Sequence, residues 1–295
     1  MAKVITIANQ KGGVGKTTTA VNLAAALVAA ENKVLIIDLD PQANASSALG
    51  IKLENVLTNT YQAIVGSVSE ENYELPLTPT EIEDLYILPG SLDCAALEGE
   101  MLELDNFHTT LQKIIATTPV NVGSHKHSSS SEYFDIIIID TPPGLGALSI
   151  NALVATDELV IPVQAEFLAL EGFSQMYQTI ESVRQSYNPA LTEIKVLITM
   201  YDSRLRLSKA VNDEIRSKLD KNEHFSVFDT NIPRNVRLAE APSFGMPIFL
   251  FDPGSAGAAA YIELSKEVIS DEETSSGKGS GFTATPSEEV SGTYS

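Results

Sequence analysis

Short aliphatic runs alternate along this chain with longer stretches that mix alanine, leucine and charge, and the alternation predicts strands and helices in turn. The runs Lys3 to Ile7, Lys33 to Ile37, Leu85 to Leu88, Phe134 to Ile139, Glu158 to Val163 and Lys195 to Thr199, with a short one near Val227, are the expected strands. Tyr133-Phe-Asp-Ile-Ile-Ile-Ile139 is almost continuously apolar, which suits the interior of a parallel sheet whose two faces are both buried. Helices are expected over Thr17 to Ala30, Leu92 to Thr117, Leu168 to Ser186, Leu205 to Asp220 and Gly257 to Ile269. Together these predict an α/β fold, a mostly parallel twisted sheet of about seven to eight strands with helices on both faces. Ligands of such sheets sit beyond the carboxyl ends of the strands, where Asp40 and Asp140 both lie.

Two stretches break the pattern. Residues 118–132 are polar and serine-rich and read as a flexible insertion, so His125 and His127 are taken as loop residues rather than metal ligands. From 271 to 295 the chain is rich in Ser, Gly, Glu and Thr with little to bury, and a disordered acidic tail is expected. Residues 1–270 are expected to form one domain, and no internal repeat is apparent.

Composition narrows the class. No apolar run is long enough to span a bilayer and the first strand starts almost at once, so a cytoplasmic protein without a signal peptide is expected. A single cysteine, Cys94, can make neither an internal disulfide nor a cysteine-rich metal site, and is expected to be an ordinary buried residue. The formal net charge of −20 argues against a nucleic-acid partner until its distribution is considered. Between Lys52 and Lys113 there are twelve acids and no Lys or Arg, and the tail adds a further net −4. Lys195 to Arg237, by contrast, carries nine basic residues against six acids, a locally basic region in an acidic protein.

The candidate chemistry starts directly after the first strand, in Lys11-Gly-Gly-Val-Gly-Lys-Thr-Thr18. The common phosphate loop would need glycine at Gln10, so the ordinary pattern fails. Instead Gly12, Gly13 and Gly15, with Val14 between them, permit tight curvature and close backbone approach to an anion. Lys16 is placed for the β and γ phosphates and the Thr17 hydroxyl for magnesium, with Thr18 continuing into a helix whose positive end faces the phosphates. Asp140, ending an apolar strand, is expected to act through the water shell of Mg2+, and Asp38 is a second carboxylate able to support the metal. The alternative for each aspartate is a plain strand-end turn carboxylate, and it is weaker for Asp140 than for Asp38.

These residues resemble the deviant-Walker partition ATPases typified by ParA and Soj, whose signature is K-G-G-x-G-K-[ST]. The likeness recurs in Asp38-Leu-Asp-Pro-Gln42, Asp140-Thr-Pro-Pro-Gly144, Thr199-Met-Tyr-Asp-Ser-Arg204 and Ile232-Pro-Arg-Asn-Val-Arg-Leu-Ala-Glu-Ala-Pro-Ser243, and it is closest to the chromosome-type Soj branch. The resemblance implies a P-loop NTPase fold and Mg2+-dependent hydrolysis of ATP to ADP, slow without a partner. It implies that Asp40 positions or activates the attacking water, and that Lys11 crosses to the phosphates of a second copy so that ATP bridges a homodimer. It places Pro233 and Asn235 beside the adenine, with Met200 and Tyr201 as further contacts. Arg204 and Arg234 match arginines that bind DNA without sequence preference, and a ParB-type centromere-binding protein is the implied partner of a nucleoid-associated switch.

Rivals are separable. A MinD-like membrane-associated positioning ATPase, the alternative reading, ends in a basic amphipathic helix, which this acidic tail lacks, so no membrane partner is expected. A nitrogenase-type iron protein needs several cysteines. Dethiobiotin synthetase and similar ligases have no use for Lys11 or the late arginines, and a self-repressing plasmid-type protein needs an N-terminal helix-turn-helix ahead of the loop.

Overall fold

The computed structural model describes residues 2–69, 75–100, 107–117, 120–121, 134–166, 169–219 and 222–277. Its strands are β1 (Lys3–Ile7), β2 (Val34–Asp38), β3 (Leu75–Pro76), β4 (Thr78–Pro79), β5 (Leu85–Leu88), β6 (Val120–Asn121), β7 (Ile136–Asp140), β8 (Glu158–Gln164), β9 (Glu193–Thr199) and β10 (Phe225–Val227). Its helices are α1 (Lys16–Ala29), α2 (Asn44–Ala48), α3 (Thr60–Ser69), α4 (Cys94–Glu100), α5 (Thr110–Thr117), α6 (Ala147–Val154), α7 (Ala169–Ser186), α8 (Arg206–Leu219), α9 (Val236–Glu240), α10 (Ile248–Phe251) and α11 (Ala256–Gly277).

Eight strands form one sheet in the order β10-β9-β8-β1-β7-β2-β5-β4, parallel throughout except for the antiparallel edge strand β4. The expected architecture is therefore present. Successive side chains of the central strands alternate between two cores. Ile5 and Ile7 of β1, Val34 and Ile36 of β2, and Ile136 and Ile138 of β7 pack with α1 and α11 on one face. Val4, Leu35, Ile37, Ile137 and Ile139 pack with residues of α3 to α6 on the other. Burying both faces is why these strands read as unbroken apolar runs.

The order places the chemistry. From β1 the chain runs to β2 on one side, and from β8 it continues to β9 and β10 on the other, so strand order reverses around β1 and leaves a crevice at its carboxyl end. Asp140 lies level with Ile7 of β1 and with Asp38 of β2. The opposite edge carries charge of another kind. Glu158, fully buried, lies 2.8 Å from Lys3 Nζ and 3.2 Å from Lys195 Nζ, an ion cluster that closes the bottom of the sheet.

Several expectations need correction. The helix expected over 92–117 is not continuous, since a 3-10 turn at Phe107–Thr109 precedes α5. Val120–Asn121, assigned to the flexible insertion, pairs in parallel with Leu75–Pro76, because its amides find partners there; 122–133, with both histidines, lie outside the described residues. Helix α11 continues to Gly277, so the expected tail begins as helix, and 278–295 lie outside the described residues. Cys94 is a buried free thiol, as expected. Among the described residues no helix is long and apolar enough to cross a membrane.

Candidate functional site

The loop between β1 and α1 adopts the conformation its glycines allow. Gly13 has φ 72° and Gly15 φ 94°, left-handed values that L side chains rarely take, and Gly15 is the N-cap from which α1 starts. Neighbouring side chains clamp the loop by its carbonyls: Gln164 Nε2 donates to Gly13 O at 2.8 Å and Thr199 Oγ1 to Val14 O at 2.8 Å. With the carbonyls held outward, the amides and the α1 N-terminus are left to face the crevice. Lys16 is buried and its Nζ donates to Lys11 O at 3.2 Å, folding the side chain back over the loop. Desolvation lowers its pKa, and Asp140 and Asp40 partly restore it.

The two strand-end aspartates differ. Asp140 is wholly buried and neither carboxylate oxygen has a well-formed hydrogen bond; the Thr17 hydroxyl is the donor at hand, and it works to lower the carboxyl pKa. Burial first, and Asp38 second, raise its pKa well above the ordinary carboxylate range. A buried carboxylate without a partner is costly unless a cation or water meets it. Asp38 is equally buried but fully engaged: Oδ1 accepts from Asp40 N at 3.1 Å, and Oδ2 from Ser46 N at 3.0 Å and Ser46 Oγ at 2.7 Å. Desolvation raises its pKa to about 6 despite those bonds. The expected magnesium support by Asp38 thus meets a carboxylate already occupied in fixing the turn that carries Asp40.

Asp40 projects from that turn into the cleft, with Oδ1 accepting from Gln42 N at 2.9 Å. The cleft, about 510 Å³, is lined by Gly12, Gly13, Gly15, Lys16, Thr17 and Asp40 among others. Among the described residues no three His, Cys, Asp or Glu side chains converge into a metal-binding group. Mg2+ keeps several of its waters and takes few protein oxygens. The donor set of Thr17 hydroxyl and orphaned Asp140 fits such an ion.

A second, more apolar cavity of about 350 Å³ adjoins the first through Gly15, Thr18 and Met200, and is bounded by Pro233, Asn235, Leu238 and Tyr261. Residues 200–204 and 232–235 run side by side, joined by Tyr201 N to Ile232 O at 3.0 Å and Arg234 N to Tyr201 O at 3.0 Å. Arg204 and Arg234 thereby share one surface. Arg204 grips Asp202 with Nε at 2.9 Å and Nη2 at 2.8 Å, and Arg234 lies 3.2 Å from Glu166. The hydrogen bonds from Arg204 hold Asp202 down to about 2. Both arginine side chains remain exposed, at 87% and 60%.

Other residues at the site have no signature in sequence. Ser46 joins Asp38 to Gly90, whose N donates to Ser46 Oγ at 3.1 Å. A Cβ at Gly90 would lie 2.7 Å from Asp40 O, so only glycine lets this backbone back the Asp40 turn. Gln164 and Thr199 act from β8 and β9, remote in sequence from the loop they hold.

Known proteins agree with the geometry. The family profile described as an AAA domain matches residues 2–193. Chromosome partitioning protein ParA of Myxococcus xanthus is 43% identical over 269 residues, covering 91% of this chain and 88% of that one. Sporulation initiation inhibitor protein Soj of Bacillus subtilis is 42% identical over 269 residues, covering 91% of this chain and 98% of that protein. Among solved structures, cobyrinic acid a,c-diamide synthase from Mycobacterium smegmatis with bound ADP and magnesium matches with a TM-score of 0.74 and 31% identity, covering 93% of this chain and 97% of that one. The sheet is that of a P-loop NTPase, and the chain belongs to the ParA/Soj family of chromosome-partitioning ATPases.

Proposed function

We propose that this chain is an ATP-dependent dimerising switch for chromosome or plasmid segregation, which binds DNA without sequence preference as the ATP dimer and is stimulated to hydrolyse by a ParB-type partner. The observation that carries this reading is a cleft lined by the phosphate loop, including Lys16 and Thr17, and by Asp40, with the wholly buried Asp140 carboxylate interacting with both Lys16 and Thr17. The loop amides and Lys16 hold the β and γ phosphates, and the apolar cavity at Pro233 and Asn235 takes the adenine. Thr17 and Asp140 would hold Mg2+, which when bound would supply positive charge at the phosphates. Asp40, fixed by the Asp38–Ser46 bonds, orients the attacking water. Residues 1–270 act as one domain, in the cytoplasm and on the nucleoid.

Lys11 supplies a cation to the second copy's phosphates, which makes the nucleotide a bridge between protomers. Formation of that dimer brings two Arg204–Arg234 surfaces together, and DNA phosphates then compete with Asp202 and Glu166 for the guanidinium groups. Light scattering tests the step: ATP converts the wild type from monomer to dimer, and Lys11→Ala stays monomeric with ADP affinity retained. A Lys11→Ala protein that dimerises as the wild type does removes Lys11 from this role.

A further inference from the structure

Six residues separate Asp140 from α6, and that helix starts from Gly146, an N-cap with no side chain to satisfy the first free amides. Glu98 of α4 satisfies them from a distance in sequence. Its Oε2 accepts from Ala147 N at 2.6 Å and its Oε1 from Leu148 N at 3.3 Å, placing a negative charge on the positive end of the helix. The fit requires a bare backbone, since a Cβ at Gly146 would lie 2.7 Å from Glu98 Oε1 and 2.8 Å from its Cδ. Helix α4 is itself anchored by Cys94 and Leu97, buried in the core that contains Leu148 and Ala152 of α6.

The segment held in this way runs into the cleft. At its start Thr141 Oγ1 donates to Ile7 O at 3.0 Å, tying it to β1. Pro143 lines the cleft and faces Gly12 of the phosphate loop, 4.0 Å from where a Cβ on that glycine would stand. Gly144 turns at φ 110° and its carbonyl accepts from Ser149 Oγ at 3.0 Å. The path from Asp140 to Pro143 is therefore pinned by β1 at one end and by the start of α6 at the other.

We propose that Glu98 is a positioning residue for hydrolysis: by holding the first amides of α6 it sets the Thr141–Gly146 segment, with Pro143, against the phosphate loop. Glu98 is not among the residues that line the cleft. It acts through the backbone of α6, and the inference rests on the hydrolysis reading above.

The test compares wild type, Glu98→Ala, Glu98→Gln and Gly146→Ala. Gly146→Ala leaves the carboxylate in the chain but pushes it from its seat, so it reports on the same interaction without deleting the charge. Amide hydrogen exchange on nucleotide-free protein is expected to show Ala147 and Leu148 exchanging faster in Glu98→Ala and Gly146→Ala. Steady-state kinetics is expected to show kcat lower by on the order of tenfold to a hundredfold in both. KM for ATP and affinity for fluorescent ADP should stay within about twofold, since ground-state binding is untouched. Glu98→Gln, which keeps one acceptor oxygen, falls between, and a variant combining Glu98→Ala with Gly146→Ala is no worse than either single one. Faster exchange with unchanged kcat overturns the proposal, leaving Glu98 as a helix cap only, and so does unchanged exchange. Should Glu98→Ala not fold, Gly146→Ala and Glu98→Gln decide by the same readouts. A wild type that binds no ADP and hydrolyses no ATP overturns the underlying function instead, and is recognised in the wild type alone before any variant is compared.

Discussion

Asp140→Asn should stabilise the nucleotide-free protein while removing its metal-dependent function. The wild-type carboxylate is buried, neither oxygen has a well-formed hydrogen bond, and its pKa is raised, first by desolvation and then by Asp38, with the Thr17 hydroxyl and, more weakly, the attraction of Lys16 opposing. An isosteric amide removes the buried charge and keeps an acceptor oxygen for the Thr17 hydroxyl. An unsatisfied buried polar group costs about 1–3 kcal/mol, and more when charged. For a chain of this size 1 kcal/mol moves Tm by about 2 °C, so a rise of about 2–6 °C is expected. The sign with pH follows from linkage. A carboxyl whose folded pKa lies above its unfolded value contributes stability that is complete below the unfolded pKa and lost as pH rises through the folded one. Asp38, raised from 3.8 to about 6, acts in the same direction, and the unfavourable part of both is fully expressed at high pH. Thermal melts in chelator from pH 5 to 8 should show wild-type Tm falling as pH rises, and a flatter curve for Asp140→Asn that lies above it at pH 8. With ADP and Mg2+ the order should reverse, because the wild type gains ligand stabilisation that the variant cannot. A lower Tm for Asp140→Asn without nucleotide at pH 8, or an unchanged pH slope, refutes this reasoning.

Other consequences are local. Gly90→Ala pushes a Cβ into Asp40 O and should lower kcat by at least about tenfold with little change in ADP affinity; unaltered turnover would show that the turn yields freely. Ser46→Ala removes a buried donor to Asp38 and an acceptor for Gly90, and should cost about 1–3 kcal/mol in a denaturant titration. Glu158→Gln leaves Lys3 and Lys195 without the buried charge they share and should lose about 3 kcal/mol or more, yet nucleotide affinity should hold because the cluster closes the opposite end of the sheet.

The sequence makes the local parts of this structure legible and hides those that depend on distant contacts. Strands β1, β2, β5, β7, β8 and β9 stand out because burial on both faces leaves apolar runs with no competing period. Helices α3 and α6 are less visible: α3 carries β-branched residues and a glycine, and α6 is a short element apolar on nearly every side, so neither shows a helical stripe. Strand β4 is two residues with a proline and owes its pairing to the sheet edge. At the site, the glycine and lysine spacing of the loop is visible because neighbouring residues perform its chemistry. The division of labour between Asp38 and Asp40 is hidden, because it is set by Ser46, eight residues on from Asp38, and by Gly90 on another connection. Glu98 is hidden for the same reason, its target lying 49 residues away in Ala147.

Nonspecific DNA binding, measured with ATP, with ADP and without nucleotide over a salt series for wild type and Arg234→Ala, tests the switch most directly. Tight binding is expected with ATP alone, with affinity falling steeply as salt rises. In Arg234→Ala the slope should be shallower by about one for each phosphate that the arginine neutralises. Equal affinity in all three nucleotide states, or a salt slope unchanged by the substitution, contradicts a nucleotide-gated DNA switch.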